Sequence, residues 1–261
     1  TYPSTPMLAK VVNTLLIKDN YSPSTLVERG LGKLSVALAQ ERGEACVKTV
    51  FIPDVSFDLQ TELKAYLSAE ELTKAAKFLK PTDQTRFIIA RGMLKKLLSD
   101  FIQVEPRKIE FIHGNYGKPH LEPKLNSQNI CFNMSHSHEL IVYAFTQNQN
   151  IGIDTEYMRP LKNIPDLVKR FFSKDENTQF FSLPQNKHSA AFYKGWTSKE
   201  AYLKALGLGI TNHLSHFSVD LDPDTPTKLL KTDSPKILKP LHLKKIASSP
   251  NYYSVLASKK S

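Results

Sequence analysis

Cysteine is almost missing from this chain of 261 residues. Cys46 and Cys131 are its whole complement, and each sits in an apolar run, ACVKTVF and NICFNM. Thiols in such settings read as buried and free. Two of them exclude a disulfide-stapled scaffold and a cysteine-rich metal site. No apolar run approaches the roughly 18 residues of a membrane span. Residues 1–10 carry no apolar signal core. The glycine-x-serine-x-glycine elbow of serine hydrolases occurs nowhere. His136 and His138 have no third histidine at a spacing that would complete a metal site. Arginine-rich blocks and a recognition-helix pattern are missing as well.

What is plentiful is scattered lysine. The 35 Lys and Arg against 25 Asp and Glu leave a formal charge of +10, which favours acidic partners. Nucleic acid, a phosphate-rich small molecule and an acidic protein all meet that description, and charge alone does not choose. The length allows one large domain or two small ones.

Along the chain, residues 26–43 have a helical period interrupted by glycines. CVKTVFI (Cys46 to Ile52) reads as a first strand. Leu63, Leu67, Leu72, Ala76 and Leu79 predict one helix over residues 60–80, ended by Pro81. A second is expected over 83–99, with Phe87, Ala90, Leu94 and Leu97 or Leu98 inward and Asp83 helping to cap it. KIEFIHG alternates like a strand and leads into the turn-rich NYGKPHLEP. NICFNMS, ELIVYAFT and NIGIDTE then form an expected three-strand antiparallel meander. Helical periods return in LVKRFF and from about His188 to Leu206. HFSVDL, KPLHLKKI and YYSVLAS are the last strands, with an irregular loop or hairpin in LDPDTPTKLLKTDSP. This order predicts an α+β protein of two lobes. The boundary falls within residues 134–150 and is taken as 1–138 and 139–261.

Four local patterns could carry chemistry. In IGIDTE, Asp154 and Glu156 leave the same face of a strand. Paired carboxylates repel unless a proton or cation joins them, and their oxygens suit magnesium; a solvated turn is the plainer alternative. In WTSKEAYLKALGLG, Glu200 and Lys204 stand four apart on one helix face. They read either as a surface ion pair beside a core Trp196, or as a third ligand or base with a phosphate contact one turn on. FNMSHSHE places Ser135, His136, Ser137 and His138 directly after a strand, where hydroxyls, imidazole and turn amides can cradle a phosphate. Arg86 and Arg91 lie on an apolar helix and Lys118 in a tight turn. Such cations have an anionic partner in a ligand or in the protein itself.

Taken in this order, the patterns resemble the 4′-phosphopantetheinyl transferase superfamily. The match is to the large monomeric surfactin-synthetase-activating type with its cyanobacterial relatives. The carriers are Gly152, Asp154 and Glu156; Trp196, Lys199, Glu200, Ala201 and Lys204; Phe132 to Ser137; Tyr116 to Pro119; and Lys169 to Ser173. The resemblance spans roughly residues 47–220. Met134 and His138 depart from the leucine and frequent glycine of the family.

The resemblance implies two similar α/β lobes in a pseudo-twofold arrangement with coenzyme A between them. It implies Mg2+ on Asp154, Glu156 and Glu200, with Asp154, Glu200 and Lys204 catalytic. It makes Ser135 and His136 contacts to the 3′-phosphate, Arg86 and Lys118 further coenzyme contacts, and Lys199 and Lys204 pyrophosphate-side lysines. The reaction implied is transfer of phosphopantetheine to a serine of an apo acyl carrier protein or peptidyl carrier domain. The enzyme would be a cytoplasmic monomer with neither nucleic acid nor membrane as partner. The competing reading is a basic nucleotide- or nucleic-acid-binding module without transferase activity.

Overall fold

The computed structural model describes residues 14–16, 45–209, 213–232 and 241–259. The expected helical stretch at 26–43 lies outside these.

The architecture is α+β, and its first half begins with a sheet. β1 (Thr14–Leu16), β2 (Cys46–Phe51), β6 (Leu140–Gln147) and β5 (Ile130–Ser137) pair antiparallel in the order β1-β2-β6-β5. β6 is the continuous apolar run LIVYAFT because both its faces are covered. Ile141, Tyr143 and Phe145 face a helical layer, and Leu140, Val142 and Ala144 face the second sheet. The helical layer comprises α1 (Phe57–Ala65), α2 (Ala69–Ala76) and α3 (Pro81–Ile102). On α3, Ile89, Ala90, Met93, Leu94 and Leu98 are buried. Each large apolar side chain among them contributes about 1.5–3 kcal/mol by leaving water. The Tyr143 hydroxyl donates to the Ala90 carbonyl at 3.0 Å and ties helix to sheet.

The single helix expected over 60–80 is two. Ser68 and Glu71 form a reciprocal capping box, which starts α2 afresh. Pro81 opens α3 rather than merely ending its predecessor, since a first-turn proline lacks only an N–H that has no intrahelical partner. Asp83 does not cap: Lys80 holds the cap position without a side-chain bond, and Asp83 pairs with Arg86 instead.

The expected three-strand meander is also corrected. β5 and β6 form a hairpin, but β7 (Ile151–Tyr157) joins a second antiparallel sheet in the order β10-β11-β7, with β10 (Leu241–Lys245) and β11 (Tyr252–Lys259). The expected boundary at 138/139 therefore falls in the tight turn of the β5–β6 hairpin. The sheets part later, between Gln147 and Ile151. Val47, Leu140, Val142, Ala144, Ile151, Ile153 and Leu256 form an apolar cluster joining them.

The second sheet is covered by α6 (His188–Leu206), against which α4 (Ile164–Phe171) and α5 (Lys174–Ser182) pack in turn. Two small hairpins complete the fold: β3 (Phe111–His113) with β4 (Pro119–Leu121), and β8 (Phe217–Val219) with β9 (Leu229–Thr232). α5 was not foreseen, although Ser173 and Glu176 spell the same capping box as Ser68 and Glu71. Gly152 sets how close α6 comes to β7: a Cβ there would lie 2.1 Å from the Ala201 carbonyl and 2.4 Å from the Ala205 nitrogen. Among the described residues no helix is long and apolar enough to cross a membrane.

Candidate active site

The site forms at the seam where β5 lies against β7. The strand period sorts β5 into two rows. Phe132, Met134 and His136 lie on the α3 side; Asn133, Ser135 and Ser137 bond to β7. Asn133 Oδ1 accepts from the Ile153 amide at 2.8 Å. Ser135 Oγ donates to Asp154 Oδ1 at 2.7 Å. Ser137 Oγ donates to Glu156 Oε2 at 2.8 Å and accepts from the Tyr157 amide at 3.0 Å. The Trp196 indole also lowers the proton affinity of Glu156.

From the other side α6 delivers Glu200 and Lys204. Lys204 Nζ lies 2.5 Å from Asp154 Oδ1, 3.1 Å from Ser135 Oγ and 3.7 Å from Glu200 Oε2. Asp154 is buried, and among the described residues its Oδ2 has no hydrogen-bond partner. Burial first, then the charge of Asp154, pushes the Glu200 carboxyl up to about 8. The same two causes raise Glu156, opposed by Ser137, Lys204 and Trp196. Burial works against the Lys204 ammonium, but the surrounding carboxylates outweigh it and its pKa is raised.

Three carboxyl groups thus crowd one place with a single lysine among them. Their mutual repulsion is relieved by a proton shared between Glu200 and Asp154, or by a cation. Among the described residues, no three His, Cys, Asp or Glu side chains are gathered closely enough to hold a metal ion as they stand. The donor chemistry nevertheless fits a hard dication: all the candidate donor atoms are oxygens, one of them buried and without a partner among the described residues, and two of the carboxyls have raised proton affinity.

At one rim, Arg86 donates through Nε to the His138 carbonyl at 2.9 Å and through Nη1 to Asp83 at 2.6 Å, keeping further N–H donors free. His136 is exposed, and its imidazole is held below the usual range by partial burial and then by the charges of Arg86 and Lys204. His138 turns the β5–β6 hairpin with φ 52°, the left-handed region. That backbone explains why glycine suits this position. Its ring lies edge-on to Tyr157 at 4.8 Å. A cleft of about 600 Å3 opens beside Glu156, lined by Arg86, Ser137, His138, Arg159, Phe192 and Trp196 among others. A smaller one of about 260 Å3 lies beyond Lys204, under Tyr116 and Lys118.

Two expected contacts, and the kind of contact made by a third, are revised. Lys199 is wholly buried and donates to both Glu176 oxygens, at 2.7 and 2.6 Å, and to the Phe217 carbonyl at 2.5 Å. Neighbouring residues on a helix point about 100° apart, so Lys199 enters the core while Glu200 meets Asp154. Lys118 spends its ammonium on the carbonyls of Ile151 and Lys204, and burial pushes its pKa down to about 8. Ser135 serves Asp154 and Lys204 rather than standing free for a phosphate. Arg91 pairs with Glu71 at 3.4 Å, away from the site. Ser137, expected among the groups that cradle a phosphate, bonds Glu156 and the Tyr157 amide instead, and Asn133, the strand-to-strand tie, stands outside the expected site although its spacing of two from Ser135 is legible.

Fold and site together define an α+β protein with an acidic centre between two sheets. Residues 53–148 match the 4′-phosphopantetheinyl transferase N-terminal model, and residues 150–253 match the 4′-phosphopantetheinyl transferase superfamily model. The chain is 39% identical over 168 residues, 64% of its length and 70% of the relative's, to the 4′-phosphopantetheinyl transferase HetI of Nostoc sp.. A putative 4′-phosphopantetheinyl transferase of Synechocystis sp. is 34% identical over 157 residues, 60% of this chain and 63% of that one. The 4′-phosphopantetheinyl transferase Sfp of Bacillus subtilis is 30% identical over 188 residues, 72% of this chain and 80% of Sfp. The chain belongs to the 4′-phosphopantetheinyl transferase superfamily.

Proposed function

We propose how this enzyme moves the phosphopantetheine arm of coenzyme A onto the serine of an apo acyl or peptidyl carrier protein. The serine oxygen attacks the β-phosphorus, the bond to the bridging oxygen breaks, and adenosine 3′,5′-bisphosphate leaves. The chain needs no nucleophile of its own, so its residues position groups and stabilise charge. Glu200 takes the serine proton directly or through water; a carboxylate that also holds a cation is a weak base, which favours the route through water. Lys204 faces the oxygen on which negative charge grows and stabilises or protonates it. Ser135, Ser137 and Trp196 orient Asp154 and Glu156. Arg86 and His136 hold the nucleotide end at the rim.

Asp154, Glu156 and Glu200 would hold Mg2+, which when bound neutralises the pyrophosphate. The observation that carries this reading is the buried, unpartnered Asp154 Oδ2 amid three carboxyls and one lysine. A nucleic-acid-binding module would have no use for such a cluster. We also read the two halves as pseudo-symmetric, because each lays a long helix, α3 or α6, on a short antiparallel sheet; they meet after Gln147. The working form is taken as a cytoplasmic monomer.

Intact-mass measurement of an apo carrier protein incubated with coenzyme A tests the reading. The carrier gains the phosphopantetheine mass with wild-type enzyme and Mg2+. The gain is lost with folded D154A, or when divalent ions are removed. Full modification by folded D154A would refute the assignment.

A further inference from the structure

We infer that Lys118 is a positioning residue: its side chain clamps the Tyr116-Gly117-Lys118 turn onto the C-terminal end of α6 and so holds Lys204 against Asp154. The inference rests on the role proposed for Lys204.

Lys118 Nζ donates to the Ile151 carbonyl at 2.9 Å and to the Lys204 carbonyl at 2.7 Å. Ile151 begins the strand that carries Asp154; Lys204 lies in the last turn of the helix that carries Glu200. One ammonium therefore joins the two elements whose side chains make the site, from a turn that belongs to neither. The Lys204 carbonyl also accepts from the Gly207 amide at 3.2 Å, which leaves its second lone pair for the ammonium, and a cation there meets the negative end of the helix dipole.

The turn and the helix end are shaped for each other. α6 stops at Gly207, with φ 68°, and a Cβ there would lie 3.9 Å from the Lys118 stem. The Tyr116 ring rests on Gly209, where a Cβ would come within 2.7 Å of it. The Tyr-Gly-Lys-Pro turn and the Leu-Gly-Leu-Gly tail, far apart in sequence, are thus two halves of one contact. A lysine present only to bind a nucleotide would need neither carbonyl.

Transfer kinetics of Lys118→Met, Lys118→Arg, Lys204→Ala and the Lys118→Met/Lys204→Ala double variant test this, with folding checked by circular dichroism. Lys118→Met is expected to lower the single-turnover rate at saturating coenzyme A by about tenfold or more, as misplacement of a reacting group does. KM for coenzyme A should stay within about twofold, Lys118→Arg should recover most of the rate, and the double variant should be no slower than Lys204→Ala alone. The inference is overturned if Lys118→Met is as fast as wild type, if it raises KM at full rate, or if the two losses multiply. Should Lys118→Met fail to fold, Gly209→Ala displaces Tyr116 from the same contact. It is expected to lower the saturated rate, and a wild-type rate would overturn the inference. A Lys204→Ala enzyme of normal rate would refute the role of Lys204 itself, an outcome separate from these.

Discussion

Adjacent residues in one motif do unrelated work here. Lys199 and Glu200 are neighbours, yet the first is locked to Glu176 in the core and the second meets Asp154. A buried lysine–carboxylate pair that loses one partner destabilises a fold by about 3–5 kcal/mol, so the constraint on Lys199 is structural. His136 supplies a prediction with a definite sign. Its pKa lies below the ordinary value, so at pH 7 the free enzyme carries it neutral. A 3′-phosphate placed beside it raises that pKa, and binding takes up a proton. Affinity for coenzyme A should therefore strengthen as pH falls through the raised pKa of the bound imidazole, and level off toward the free-state pKa, which lies below 6.5. Calorimetric titration should show this slope for wild type and a flatter one for H136Q or for dephospho-coenzyme A. Equal slopes for H136Q and wild type would remove His136 from the phosphate.

At the scale of elements, the site depends on how closely α6 approaches β7. Gly152 permits that approach, because any side chain would strike the helix backbone. Gly152→Ala should cost about 1–3 kcal/mol of stability by overpacking and slow transfer, since it moves Glu200 and Lys204 away from Asp154. Denaturant titration with single-turnover kinetics checks both; an unchanged rate would show that the approach does not matter. The elements were legible where local patterns are strong. The spacing of two in Asp154 and Glu156 and of four in Glu200 and Lys204 placed each pair correctly on its own element, and α6 was read with its ends. The strand partners were not legible. β7 looks like the third strand of a meander, and only long-range pairing with β11 takes it into another sheet. The helix break at Ser68 and the start at Ser173 were written as capping boxes but passed over, because apolar period dominated the reading. For Lys118 the residues alone leave the partner open between ligand and protein and the resemblance implies a coenzyme contact; its carbonyl partners, on distant elements, are not legible in the sequence.

For the whole molecule, we propose two uses for the +10 charge, the phosphates of coenzyme A and an acidic carrier protein. Electrostatic attraction of the second kind speeds encounter and weakens with salt. KM for the carrier protein should rise steadily with ionic strength in steady-state kinetics at saturating coenzyme A, with kcat little changed. A KM that ignores salt would assign docking to apolar contacts.

The central claim is that Asp154, Glu156 and Glu200 share a cation while Lys204 serves the leaving phosphate. Single-turnover transfer at saturating coenzyme A, followed across a Mg2+ titration, tests it most directly. E200Q should slow the step and move the Mg2+ midpoint upward. K204A should slow the step by about a hundredfold or more, or roughly 2.7–4 kcal/mol, with a midpoint unchanged or lower, since it removes a positive charge from beside Asp154. A solvent-facing ion pair would be worth only about 0.3–0.5 kcal/mol. Wild-type rates and an unmoved midpoint in both variants, or a midpoint raised as far by K204A as by E200Q, would contradict the account.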